Sequence, residues 1–120
     1  MKKNRPDQRV EVNFPVVCTL ENRRNKKLLS EAKLSNMSIN GMKIDIPLPP
    51  NMLKQSIIDI DLNLPQPFAK IRSHGKIKWK KWQKDKKHTS CGVKLEPLTL
   101  KQLFDLHTII DEVSAENNKK

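Results

Sequence analysis

Val10, Val12, Phe14, Val16, Cys18 and Leu20 occupy every second position, with Glu11, Asn13, Pro15, Val17 and Thr19 between them. Neighbouring side chains of a strand point to opposite faces, so this period of two predicts a long strand with one buried face. ENRRNKK at 21–27 reads as a polar turn. Residues 28–34 predict a second, more weakly patterned strand, and Met42, Ile44 and Ile46 a third. PLPPN at 47–51 lacks the donors a ladder needs and reads as a loop. Ile58, Ile60, Leu62 and Leu64 alternate with Asp59, Asp61 and Asn63, a fourth strand that PQP ends. Residues 68–82 give one long strand or two short ones. Lys84 to Lys87 with Asp85 gives a hairpin turn, and Cys91, Val93 and Leu95 give the last strand.

The period then changes. Thr99 and Gln102 form a capping box, Leu98 and Leu103 stand where a hydrophobic staple would, and Leu100, Leu103, Phe104, His107, Ile110 and Val113 follow helical spacing. A helix over about 99–114 is predicted, with 115–120 as a frayed tail. Antiparallel strands with one terminal helix describe a small β-barrel or roll with the helix as a lid.

At 120 residues the chain is long enough for one self-sufficient domain. No run approaches the roughly 18 apolar residues of a membrane span, and the charged start MKKNRPDQR has no apolar segment behind it, so neither a span nor a signal peptide is expected. Cys18 and Cys91, without paired spacing, point to a reducing, cytoplasmic setting. Charge changes the picture: 24 Lys+Arg against 13 Asp+Glu leave +11, which attracts phosphates of whatever carrier.

Two short segments carry candidate chemistry. RPDQR places Arg5 and Arg9 four residues apart ahead of the first strand, and NMSING at 36–41 follows the second. Asn40-Gly41 is an ordinary tight-turn signal because both residues tolerate positive φ. Asn36 and Ser38 are not needed for such a turn, and their shared parity predicts that both face one side.

RxxxR followed by NxSxxG resembles the signature of the PilZ domain family across the whole chain. The resemblance implies a six-stranded antiparallel barrel with a C-terminal helix, and a non-enzymatic binding module for cyclic di-GMP. Residues 1–9 would be a flexible arm and 10–114 the barrel with its helix. The implied ligand residues are Arg5, Arg9, Asn36, Ser38 and Gly41, and the chemistry agrees. An arginine fork matches guanine O6 and N7 or phosphate, and its plane stacks on a base. An amide can bond a guanine edge, a hydroxyl can donate to phosphate, and glycine keeps the turn low. Position 36 is Asn where Asp is commoner in the family. Asn4 stands where many members carry a further Arg, a position associated with whether one or two ligand molecules are held. The arm would close over the nucleotide as a switch for a downstream effector protein. The alternatives are an adaptor that no longer binds ligand and a basic barrel that binds nucleic acid.

Residues 70–87 hold nine Lys+Arg and one acid around Trp79 and Trp82. Parity puts Ile77 and Trp79 on one face, which favours a core position for Trp79; a rim position would let it stack on a guanine. The interleaved Trp79 and Trp82 make stacking on nucleic acid conceivable; the run reads first as a solvated face, with nucleic acid an unlikely partner, and second as a docking surface for an acidic partner or nucleic acid. His88 and Cys91 have a metal-like spacing, but a fourth ligand is missing and no metal is expected. No nucleophile–base–acid set is visible, and no cofactor beyond the ligand is expected.

Overall fold

The computed structural model describes residues 9–21, 27–39, 41–53, 55–68 and 70–118. Six strands run in the order β1 (Val10–Glu21), β2 (Lys27–Met37), β3 (Met42–Ile46), β4 (Ile57–Leu62), β5 (Ile71–Gln83) and β6 (His88–Glu96), and the helix α1 spans Leu100–Asn118. All pairings are antiparallel, and the sheet closes on itself as β1-β2-β3-β6-β5-β4. Closure by β1 against β4, Val16 opposite Leu62 and Cys18 opposite Ile60, removes the free edges that an open sheet would present.

The alternation seen in the sequence is what fills the barrel. Val16, Cys18 and Leu20, then Leu34, Ile44, Ile46, Ile58, Ile60, Leu62, Ile71 and Val93 turn inward and are almost fully buried. Inward-facing polar residues find partners: Ser73 Oγ donates to Pro97 O (3.0 Å) and Thr89 Oγ1 to Leu48 O (2.6 Å). These bonds tie the entry to α1 and the 47–53 loop to the barrel wall. Gly75 serves packing rather than backbone freedom, since a Cβ there would lie 2.6 Å from Val93 Cγ1 and collide with Ile60.

The capping box is present, with Thr99 N–H donating to Gln102 Oε1 (2.9 Å) and Gln102 N–H to Thr99 Oγ1 (3.1 Å). The helix differs from expectation in length and in its buried face. It runs to Asn118, and Leu106, Ile109 and Ile110 face the core while Leu100 and Phe104 are exposed. The buried stripe is thus set one step round from the predicted one, and α1 lies against β1. Among the described residues, no helix is long and apolar enough to cross a membrane.

Gly75→Ala is expected to cost about 1–3 kcal/mol through overpacking against Ile60 and Val93. Urea denaturation checks this, and an unchanged midpoint would show that the barrel interior has slack at this level.

Candidate functional site

Two bulges decide which side chains reach the outer wall. On β2, Leu34 opposes Ile44 and Asn36 opposes Lys43, so Ser35 is an extra residue relative to β3. On β5, Ile77 opposes Val93 and Trp79 opposes Gly92, so Lys78 is extra relative to β6. One inserted residue reverses the alternation beyond it. Met37 therefore follows Leu34 into the core and Asn36 turns outward; Trp79 leaves the face of Ile77 and is 49% exposed. The core position expected for Trp79 is not what the barrel adopts.

The reversal aligns Asn36, Lys43, Gly92 and Trp79 in a row across β2, β3, β6 and β5 on the outer wall. Three strand spacings separate Asn36 from Trp79, about 14 Å. The Trp79 indole lies over Gly92, where a Cβ would sit 2.6 Å from its Cδ1. At the other end, Arg9 enters β1 beside the row and its Nη1 donates to Asn36 Oδ1 at 3.3 Å. The two segments singled out in the sequence, 27 residues apart, thus meet. Lys43 has no carboxylate partner among the described residues. Lys43 and Gly92 escaped the sequence reading because only the β2-β3-β6-β5 order makes them neighbours of Asn36 and Trp79.

Beyond β2 the chain turns at residues 38–41. Ser38 is fully buried, its N–H donates to Gly41 O (2.8 Å), its Oγ donates to the same oxygen (3.1 Å), and Gly41 N–H donates back to Oγ (3.1 Å). The single face expected for Asn36 and Ser38 is therefore not found: Asn36 lines the wall, and Ser38 locks the turn behind it. The positive φ expected at Gly41 is absent too. A Cβ at Gly41 would make only an ordinary contact, 3.6 Å from Val93 O. Arg5, Asn4 and Asn40 lie outside the described residues.

Other reactive groups are committed elsewhere. Cys18 and Cys91 are buried thiols. Burial, then the neighbouring Cys91, pushes Cys18 up to about 12; burial outweighs nearby Lys80 in pushing Cys91 up to about 11. Both stay protonated at neutral pH, unsuited to metal binding or nucleophilic attack. His88 Nε2 sits 3.6 Å from Asp45 Oδ1, and Ser90 Oγ donates to that same oxygen at 2.8 Å. The wiring is not that of a catalytic triad, in which the base takes the hydroxyl proton. Among the described residues no group of three or more His, Cys, Asp or Glu could hold a metal ion. A cleft of about 670 Å³ on the β1–β4–β5 side holds Asp59, Asp61, Arg72 and His74. Both carboxylates are already engaged, Asp61 with Arg72 at 2.8 Å and Asp59 with His74 Nδ1 at 2.6 Å.

A family model described as PilZ domain matches residues 3–112. No protein of curated function matches the sequence. Among solved structures, the PilZ domain of YcgR from Escherichia coli with c-di-GMP is similar at 14% identity and a TM-score of 0.65, covering 98% of this chain and 96% of that one. The Bacillus subtilis inhibitor of motility MotI/DgrA is similar at 12% identity and a TM-score of 0.71, covering 99% of this chain and 54% of that one. The K. pneumonia MrkH–c-di-GMP complex is similar at 13% identity and a TM-score of 0.70, covering 99% and 56%. This chain spans about half the length of the MotI/DgrA and MrkH chains.

Ser38→Ala, which strands the Gly41 N–H in a buried turn, is expected to cost about 1–3 kcal/mol. Gly41→Ala, with ordinary φ and free space, is expected to change stability by less than about 0.5 kcal/mol. Thermal melts of the two variants check the contrast. The reverse order would mean that the turn depends on the glycine backbone and not on the serine hydroxyl.

Proposed function

The chain belongs to the PilZ domain family, and on that premise we propose that it is a non-enzymatic receptor for cyclic di-GMP. The observation that carries the reading is the approach of Arg9 to Asn36, at one end of an outward row that ends in an exposed indole. YcgR and MrkH, which share the fold, are c-di-GMP complexes in their solved structures.

In this reading the nucleotide lies along the row. The Arg9 guanidinium takes guanine O6 and N7, or forks onto a phosphate. The Asn36 amide meets a guanine edge, and the Trp79 ring, about 14 Å away, offers a stacking face for the far half of the ligand. Lys43 lies between them and faces the phosphates. Gly41 contributes bare backbone, so the ligand can lie close; Ser38 acts by holding the turn. Asn at position 36 makes a neutral bond to Arg9, which a phosphate or guanine can replace without breaking an ion pair.

Arg5 completes the clamp. Residues 2–8 carry no large apolar side chain, so the contacts that order them over the barrel come from the nucleotide. An ordered arm then presents a new surface to a downstream effector protein, a binding-coupled switch. Two thiols kept protonated and reduced suit a cytoplasmic setting.

Titration calorimetry tests the reading. Wild-type protein is expected to bind cyclic di-GMP, and Arg9→Ala to lose on the order of 2–3 kcal/mol, roughly 30–150-fold. Lys43→Met, a phosphate contact in partly screened solvent, is expected to lose about 1 kcal/mol and to flatten the salt dependence. Wild-type affinity in the Arg9→Ala protein would remove the clamp.

A further inference from the structure

The proposed ligand row accounts for Trp79 but not for Trp82 or the lysines around it. Trp79 and the three residues after it are, with Lys78, five consecutive exposed positions, Lys78 to Trp82. They are exposed because β4 pairs with β5 only as far as Lys76, so the outer half of β5 is flanked by β6 alone. After the bulge at Lys78, Trp82 shares its side of the ribbon with Lys80, opposite to Trp79 and Lys81, and the lysine-rich turn at 84–87 follows it directly. It is 41% exposed. Lys80 is held in place by donating to Leu53 O at 2.5 Å. Lys76, Lys78, Lys81, Lys84, Lys86 and Lys87 have no carboxylate partner among the described residues.

Lysines alone have a plain explanation. Charged side chains along a strand edge keep sheets of different molecules from pairing. That purpose gains nothing from a half-exposed indole, which costs solubility instead. A cluster of uncompensated cations around a planar aromatic face is what a chain of phosphates carrying accessible bases requires.

We propose that the outer half of β5 and the 84–87 turn form a binding site for single-stranded nucleic acid, in which Trp82 stacks on a base and the surrounding lysines contact phosphates. An anionic bilayer fits less well, because the protruding turn, residues 83–88, has no apolar side chain to enter the interface ahead of Trp82. A duplex fits less well, because its bases are stacked on one another and offer no face to an indole. The strand from Lys76 to Gln83 is about 23 Å long, enough for about four nucleotides, the lower end of known site sizes. The parity that would send Trp79 into the core does not hold past Lys78, and both indoles are exposed.

The test is fluorescence anisotropy of a labelled 15-residue oligothymidylate with the full chain at 50 and 200 mM NaCl, without cyclic di-GMP. Binding that weakens with salt and quenches tryptophan emission is expected. Trp82→Ala and Trp82→Leu should each weaken binding by about 10-fold with the salt slope unchanged, since stacking is lost and charge is kept. Trp82→Leu keeps the apolar bulk should the smaller side chain disturb the fold. The double variant Lys84→Glu/Lys86→Glu, in the turn that follows Trp82, should weaken binding and flatten the slope. Equal affinity of wild type and Trp82→Leu would reduce the attraction to unspecific charge and overturn the site. So would the absence of binding at 50 mM NaCl, or tighter binding to phosphatidylglycerol vesicles or to polyglutamate than to the oligonucleotide. Because no dinucleotide is present, none of these outcomes bears on the cyclic di-GMP reading.

Discussion

A closed barrel must send alternate residues inward on every strand, and two of the places where the pairing register slips decide the chemistry of this surface. The extra residues Ser35 on β2 and Lys78 on β5 each reverse the inward and outward faces beyond them. Without the first, Asn36 would share the face of Leu34, in the core. Without the second, Trp79 would share the face of Ile77, and Gly92 would lie uncovered. The two bulges stand at opposite ends of one cross-strand row, so the outward display of Asn36 and Trp79 is the result of these two irregularities.

The rest of the arrangement follows from that row. Ser38, freed from the strand just past the first bulge, spends its hydroxyl on the 38–41 turn and so fixes where β2 ends and β3 begins. The turn returns the chain as β3 in a register that puts Lys43 beside Asn36, and β6 then supplies Gly92, the one outward position in the row without a side chain. The result is a flat strip with a cation at each end of its first half and an aromatic plate at the far end. In the proposed reading, the arginine-bearing segment before β1 closes over the open side of this strip.

The long regular elements were legible in the sequence. Period-two alternation placed β1, β3, β4 and β6 to within a few residues, the capping box at Thr99 and Gln102 located the start of α1, and Lys84 to Lys87 marked the last hairpin. The six-stranded barrel with a terminal helix followed from a resemblance carried by RxxxR and NxSxxG, and the closed sheet agrees. The parity errors share one origin, the assumption of an unbroken period. A core position was favoured for Trp79 by counting across Lys78, where the ladder gains a residue, and Asn36 and Ser38 were put on one face by counting past Met37, where β2 ends and the turn begins. Gly41 was credited with positive φ from its Asn-Gly context, whereas the serine hydroxyl closes the turn and leaves its backbone ordinary. The exposed Leu100 and Phe104 show the same limit in the helix, where spacing gives a stripe but not which neighbour covers it.

The central claim is that one cyclic di-GMP molecule bridges the segment before β1 and the turn after β2. Amide hydrogen exchange with and without saturating cyclic di-GMP tests it most directly. The account predicts that residues 5–9 and 36–41 gain protection together, while β1 positions such as Val16 to Leu20 change little. Protection gained by only one of the two segments, or by neither, would contradict it.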